Sequence, residues 1–124
     1  MRVLLDTHLL LWALATPARL SPAARDAITT GEVYVSAASI WEISIKTQLG
    51  KLDANPREVL AAIEPAGFSL LPISGEHAVR VAELPAVHRD RFDRMLAAQA
   101  SVEPMILLTN DAALSEYGSF VSVV

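Results

Sequence analysis

Four acidic residues lie close to points where an apolar, strand-like run gives way to a helix-like pattern. They are Asp6, Glu42, Asp93 and Asp111. Carboxylates that come close together repel and raise one another's pKa, so a protein tolerates them mainly when a cation neutralises them. The chain has no cysteine and no histidine cluster, and all-oxygen ligands favour Mg²⁺ or Mn²⁺ over Zn²⁺. Such a site could serve phosphodiester hydrolysis, in which the metal activates water and stabilises the leaving oxygen.

Each of these acids also has a structural explanation. Three acids suit the N-cap position of a helix, where aspartate is favoured: Asp6, Asp90 and Asp111. Ser39 and Glu42 have the spacing of a capping box, and Glu42 and Lys46 are spaced for an i,i+4 ion pair. Asp93 has the weakest structural explanation, because it lies beside small apolar residues where an unpaired carboxylate is unfavourable unless it binds something.

The pattern of apolar residues predicts alternating strands and helices. Short apolar runs, typical of buried strands, occupy residues 3–5, 33–35, 68–73, 105–108 and, at the sheet edge, 120–124. Helical stretches are predicted at residues 9–14, 22–30, 37–49, 56–63, 74–84, 91–102 and 111–117. Alternation of this kind implies a parallel sheet with helices on both faces and right-handed crossovers.

The parallel sheet is what would bring the acids together. Helix starts that follow parallel strands share one rim of the sheet, where ligands bind in open α/β folds. We therefore expect Asp6, Glu42 and Asp111 to face a common crevice, and Asp93 to join them if its helix runs along the rim.

Composition limits the class of protein. At 124 residues the chain is long enough for one domain, residues 1–124, but not for two. Its hydrophobic fraction of 52% predicts that part of the surface is buried against a partner, yet no apolar run approaches the ~18 residues of a membrane span. The net charge of −4 argues against non-specific nucleic-acid binding by bulk charge. The lack of cysteine and of a signal-peptide pattern suits a cytoplasmic protein.

Four ordered segments carry a family resemblance. They are Leu4-Leu-Asp-Thr-His8; Ser36-Ala-Ala-Ser-Ile-Trp-Glu-Ile-Ser-Ile-Lys46 with Leu49-Gly-Lys-Leu52; Leu84-Pro with His88-Arg-Asp-Arg-Phe-Asp-Arg-Met-Leu-Ala-Ala-Gln-Ala100; and Leu107-Leu-Thr-Asn-Asp111. In this order the chain resembles the PIN-domain ribonucleases, and within them the VapC-like toxins of type II toxin–antitoxin pairs. One departure is visible: the family's usual Asp-Pro-Phe-Asp-Arg appears here as Asp90-Arg-Phe-Asp-Arg94.

The resemblance implies a three-layer α/β/α PIN fold around a mostly parallel sheet of four or five strands. It implies a metal-dependent endoribonuclease, with Mg²⁺ or Mn²⁺ as cofactor and RNA as substrate. The metal ligands would be Asp6, Glu42 and Asp93, with Asp111 as the fourth and more variable acid. A cognate antitoxin and a homodimer are implied as partners.

Several other side chains have two interpretations each. The cluster of His88, Arg89, Arg91 and Arg94 could bind RNA phosphates or lie in a solvated loop, with Arg94 paired to Asp90. Three polar residues could orient carboxylates or water or make local caps: Thr7, Thr109 and Asn110. Lys46 could contact substrate or restrain Glu42.

Three ring-bearing residues are also ambiguous. His8 is predicted to be a buried or capping residue rather than a ligand. Trp12 and Trp41 are predicted to pack in the core, with a groove for a partner helix as the alternative.

Three other functions compete with the toxin. A PIN nuclease could process RNA in maturation, and a degenerate PIN domain could only bind a partner. A receiver-like binding domain would need an aspartate after the third strand and a lysine after the last. Here the third strand ends Pro72-Ile73-Ser74 and no lysine follows Lys51, which disfavours that class.

Overall fold

The computed structural model describes residues 1–87 and 89–124. Its centre is a sheet of five strands in the order β3-β2-β1-β4-β5, and every neighbouring pair is parallel. The strands are β1 (Arg2–Leu5), β2 (Glu32–Ser36), β3 (Ser69–Leu71), β4 (Ile106–Thr109) and β5 (Val121–Val123). The predicted α/β class is confirmed, and the sheet is wholly parallel rather than mostly so.

Six α-helices connect the described strands. They are α1 (Thr7–Ala15), α2 (Pro22–Thr30), α3 (Ala37–Gln48), α4 (Pro56–Ile63), α5 (Gly75–Glu83) and α6 (Arg91–Val102). Two short 3-10 helices, Pro17–Arg19 and Ala112–Tyr117, complete the connections. The predicted helix starts at Ser21-Pro22 and Asn55-Pro56 are confirmed, because Ser21 and Asn55 cap the helices and each proline is the first helical residue.

Alternate residues of β1 pack into two separate apolar layers, because successive side chains of a strand point to opposite faces of the sheet. Val3 and Leu5 pack with side chains from α1 to α4. Leu4 packs on the other face with α6 and the second 3-10 helix, through Leu96 and Leu114. The sheet is thus covered on both faces, which explains why its central strands show no polar alternation.

The central position of β1 brings three connections to one rim. Because β1 lies between β2 and β4, the segments that leave these strands begin side by side: α1, α3 and the 3-10 helix at Ala112–Tyr117. Ser36, at the end of β2, accepts a hydrogen bond from the Ala38 amide (2.9 Å) and donates one to Gln99 Oε1 (2.5 Å). This contact ties the start of α3 to the middle of α6.

The core prediction for the two tryptophans is only half right. Trp12 is partly buried against the core, whereas half of the Trp41 surface is exposed. Over the residues that the structure describes, no helix has the length and apolar character that crossing a bilayer requires.

Candidate functional site

Asp6 is fixed at the junction of β1 and α1. Its backbone amide donates to the Leu108 carbonyl (2.9 Å), which continues the pairing of β1 with β4. Its side chain caps α1 by accepting from the Thr7 amide (2.7 Å), and it also accepts from Thr109 Oγ1 (2.6 Å). Burial raises the pKa of Asp6 despite these hydrogen bonds. The cap interpretation is therefore correct, and it leaves a buried carboxylate at the rim.

Glu42 is held from two sides on α3. Thr7 Oγ1 donates to Glu42 Oε1 (2.7 Å) and Lys46 Nζ donates to Oε2 (2.7 Å). The predicted i,i+4 pair is present, and the hydrogen bond to Glu42 raises the pKa of Lys46. The predicted capping box is wrong: α3 is capped by Ser36, and Ser39 lies in the first turn with its Oγ 2.9 Å from Thr7 Oγ1.

Asp93 lies in the first turn of α6, which Asp90 caps by accepting from the Phe92 and Asp93 amides (2.9 and 3.0 Å). The Asp93 side chain is half-buried. Burial is the main cause that raises the pKa of Asp93 to about 7, followed by repulsion from Asp6, Asp90, Glu42 and Asp111. The carboxylates are therefore close enough in space to make the ionisation of Asp93 unfavourable near neutral pH.

One cavity of about 560 Å³ contains all four predicted metal ligands. We call it the acidic pocket; its lining is Asp6, His8, Trp12, Arg19, Glu42, Lys46, Asp90, Asp93, Asn110 and Asp111. Asp111 caps the following 3-10 helix through the Ala113 amide (3.0 Å) and is exposed, as is Asn110. The ends of β1 and β4, the first half of α3 and the start of α6 thus supply carboxylates to one concavity.

The chemistry of the acidic pocket suits a hard cation, because its acidic side chains would bind the ion through carboxylate oxygens. Nevertheless, no three histidine, cysteine, aspartate or glutamate side chains of the described residues are placed to hold a metal ion. The carboxylates of Asp6 and Glu42 accept hydrogen bonds from the protein itself. Metal binding would therefore require these side chains to exchange some of those hydrogen bonds for the ion, and it would relieve the repulsion that raises the pKa of Asp93.

Thr109 links two of the acids. It is fully buried, donates to Asp6 Oδ2 (2.6 Å) and accepts from the Asp111 amide (3.0 Å). Thr109→Val keeps the shape but leaves both groups without this partner, so we expect the free energy of unfolding to fall by about 1–3 kcal/mol. Urea denaturation measures the change. The matched control is Thr29→Val on an exposed turn of α2, where Thr29 Oγ1 only donates to the Arg25 carbonyl (2.8 Å); equal losses in both variants would contradict the role of Thr109.

Of the predicted basic cluster, the three described arginines do not line the acidic pocket. His88 falls outside the described residues. Arg94 donates to the carbonyls of Pro85 (2.9 Å) and Val81 (2.6 Å), so the predicted pairing with Asp90 is replaced by contacts that anchor the chain before α6. Arg89 and Arg94 line a separate depression. The Arg91 guanidinium carbon is 5.3 Å from the centre of the Trp41 ring.

Sequence reasoning missed three residues of the acidic pocket. Arg19 comes from the short 3-10 helix and lies 4.7 Å from the Trp12 ring centre; no motif marks it. His8 is exposed rather than buried. Burial raises the pKa of Asp6, and the proximity of His8 offsets part of that rise. The only signal for Trp12 was its place one turn after His8, which the apolar context outweighed.

Comparison with known proteins identifies a family and a fold. A sequence model of the PIN domain matches residues 3–119. No curated protein is a significant match.

Solved structures share the fold at low sequence identity. Two chains are similar over 100% of this one: VapBC2 from Rickettsia felis bound to a promoter DNA fragment (TM-score 0.71, 14% identity, 98% of that chain) and DNA-bound VapBC from Salmonella typhimurium (0.69, 17%, 97%). FitAcB from Neisseria gonorrhoeae is similar over 98% of this chain and 95% of its own, with a TM-score of 0.62 and 22% identity.

Proposed function

Because the chain belongs to the PIN-domain family, in which ribonuclease activity is typical, we propose that it is a Mg²⁺- or Mn²⁺-dependent endoribonuclease. The observation that carries the proposal is the half-buried carboxyl of Asp93, whose pKa is raised to about 7 beside Asp6, Glu42, Asp90 and Asp111. A site that keeps several carboxylates together at such a cost in repulsion is typical of cation binding.

We assign the metal to Asp6, Glu42, Asp93 and Asp111. A divalent ion held there would supply Lewis acidity toward water and toward the phosphate oxygens of RNA. Thr7 and Thr109 orient Glu42 and Asp6, since each donates to one carboxylate oxygen. Asp90 fixes the start of α6 and with it the direction of Asp93.

Lys46 has a further role in this proposal. Its ammonium bonds Glu42 Oε2 at 2.7 Å while 39% of its side chain stays exposed. It therefore restrains Glu42 and brings a positive charge to the mouth of the acidic pocket, where an incoming phosphate needs one. Asn110, exposed at the same rim, can donate a hydrogen bond to the same phosphate.

We further propose that the protein is the toxin of a type II toxin–antitoxin pair. The support is an apolar groove of about 530 Å³ that shares His8, Trp12 and Arg19 with the acidic pocket. Its other lining includes Leu11, Leu14, Leu52 and Val59, which suits the apolar face of an antitoxin helix. The similar folds belong to VapBC proteins. The homodimer stays a prediction.

A catalytically inactive, partner-binding PIN domain is the second candidate. The observation that favours it is the lack of a ready-made metal cluster among residues 1–87 and 89–124. A nuclease of RNA maturation would share the chemistry and differ only in its RNA.

One experiment separates the endoribonuclease from the inactive, partner-binding domain. Purified protein is incubated with total RNA alone, with Mn²⁺, and with Mn²⁺ plus excess chelator, and the fragment ends are mapped by sequencing. The endoribonuclease predicts discrete internal cuts only with free Mn²⁺. RNA left intact under all three conditions, or cuts that chelator does not suppress, would overturn the proposal.

A further inference from the structure

Both tryptophans of the chain carry an arginine on the ring. Arg91 is 5.3 Å from the Trp41 ring centre, and Arg19 is 4.7 Å from that of Trp12. The second pair lines the acidic pocket. Trp41 directly precedes Glu42, and Arg91 directly follows Asp90. Neither arginine belongs to an ion pair within the described residues.

The Trp41–Arg91 pair packs against Phe92 on one side and leaves part of the Trp41 ring exposed on the other. The buried ring of Phe92 meets Trp41 edge to face at 5.0 Å between centroids and lies 5.0 Å below the Arg91 guanidinium. This fixes the orientation of the indole, yet half of its surface stays exposed. The exposed half of this fixed indole offers a flat aromatic surface on which another ring can stack.

From this geometry we propose that Trp41 and Arg91 form a stacking platform for an unpaired base of the RNA strand. The inference rests on the proposed nuclease function and assigns one base of the RNA substrate to these two side chains. Bases stack on aromatic rings and on arginine guanidinium planes only when they are free of a duplex. The positive charge of Arg91 also complements the phosphate backbone.

A protein partner, or a second copy of this chain, is a competing occupant of Trp41. The charge favours RNA, because Lys46 and Arg19 line the acidic pocket and Arg91 directly follows Asp90 of its lining. An RNA strand is the polyanion that the proposed reaction needs. Arg91 also sets this chain apart, because the PIN-domain family usually has proline at that position.

The test measures binding separately from cleavage. A fluorescein-labelled single-stranded RNA 12-mer of mixed sequence, and the same strand annealed to its complement, are titrated with the Asp93→Asn variant by fluorescence anisotropy. We expect the duplex to bind at least tenfold more weakly. In the same background, Trp41→Leu should weaken single-strand binding by roughly ten- to a hundredfold, Trp41→Phe less, and Arg91→Pro several-fold. The matched control is Leu49→Ala at the end of the same helix, 62% exposed, which should bind like the parent.

The outcomes are distinct from those of the nuclease proposal. Binding that depends on Trp41 without any cleavage by the wild type would remove the nuclease and keep the platform. Cleavage by the wild type with unchanged affinity in Trp41→Leu and Arg91→Pro would overturn the platform. Equal affinity for duplex and single strand would overturn it as well. Sedimentation of wild type and Trp41→Leu completes the test: a smaller assembly in the variant would show that Trp41 lies in a subunit interface, which contradicts an RNA platform.

Discussion

Replacing Asp93 by asparagine should lower Mn²⁺-dependent RNA cleavage by at least about a hundredfold, since even residues that only support a metal ligand typically contribute ten- to a hundredfold. The fold should survive. Asp93 lies in the first turn of α6 and its backbone amide, not its side chain, is the group that Asp90 caps. Asparagine keeps the size of the side chain and removes the charge that Asp6, Asp90, Glu42 and Asp111 oppose. Single-turnover cleavage of a mapped RNA site measures the loss.

The control for Asp93→Asn is Asp26→Asn. Asp26 is an exposed acid on α2, and its substitution also replaces one carboxyl group by an amide. It should cleave at the wild-type rate. Cleavage by folded Asp93→Asn within a few-fold of the wild type would remove Asp93 from the site.

The stability of the metal-free protein should fall as pH rises from 5 to 8. The pKa of folded Asp93 is about 7, above its ordinary value of 3.8, so the folded state holds a proton that the unfolded state has lost. The stabilisation from that proton is complete below pH 3.8 and disappears as pH rises through about 7. Asp6, whose pKa is also raised by burial, acts in the same direction. In the presence of chelator, each kcal/mol of unfolding free energy that is lost as pH rises should lower Tm by about 3–6 °C.

Mn²⁺ should reverse this loss. At a hundred times its Kd a bound ion adds about 2.7 kcal/mol, so Tm at pH 8 should rise by roughly 10 °C. At pH 5.5 the rise should be much smaller, because protons compete for Asp93. Differential scanning fluorimetry of wild type and Asp93→Asn tests both statements. The variant should lose most of the pH slope and of the Mn²⁺ response; an identical slope in both proteins would assign the titration to other groups.

The fold was predictable because its signals are local. Buried parallel strands appear as apolar runs without alternation. A capping residue followed by proline marks a helix start, as at Ser21-Pro22 and Asn55-Pro56. β3 was predicted too long, at 68–73 against Ser69–Leu71, because Phe68 and Ile73 are apolar residues that flank an edge strand.

The sequence predicts which acids reach the candidate site, because parallel topology determines where the segments after the strands begin. Asp6, Glu42 and Asp111 follow central strands, so parallel topology brings them to one rim, and α6 adds Asp93. The exact partners depend on side-chain direction in three dimensions. Ser39 contacts Thr7 across 32 positions of sequence instead of capping its own helix. Arg94 meets the carbonyls of Pro85 and Val81, which no spacing rule indicates. Arg19 reaches the acidic pocket from a 3-10 turn that has no motif.

The most direct measurement is a titration of wild type and Asp93→Asn with Mn²⁺ at pH 7.5, in which electron paramagnetic resonance reports the concentration of free ion. If Asp6, Glu42, Asp93 and Asp111 share a cation, the wild type will show saturable binding that the variant loses or weakens at least tenfold. No saturable binding to the wild type, or equal binding to both proteins, would contradict a metal site in the acidic pocket.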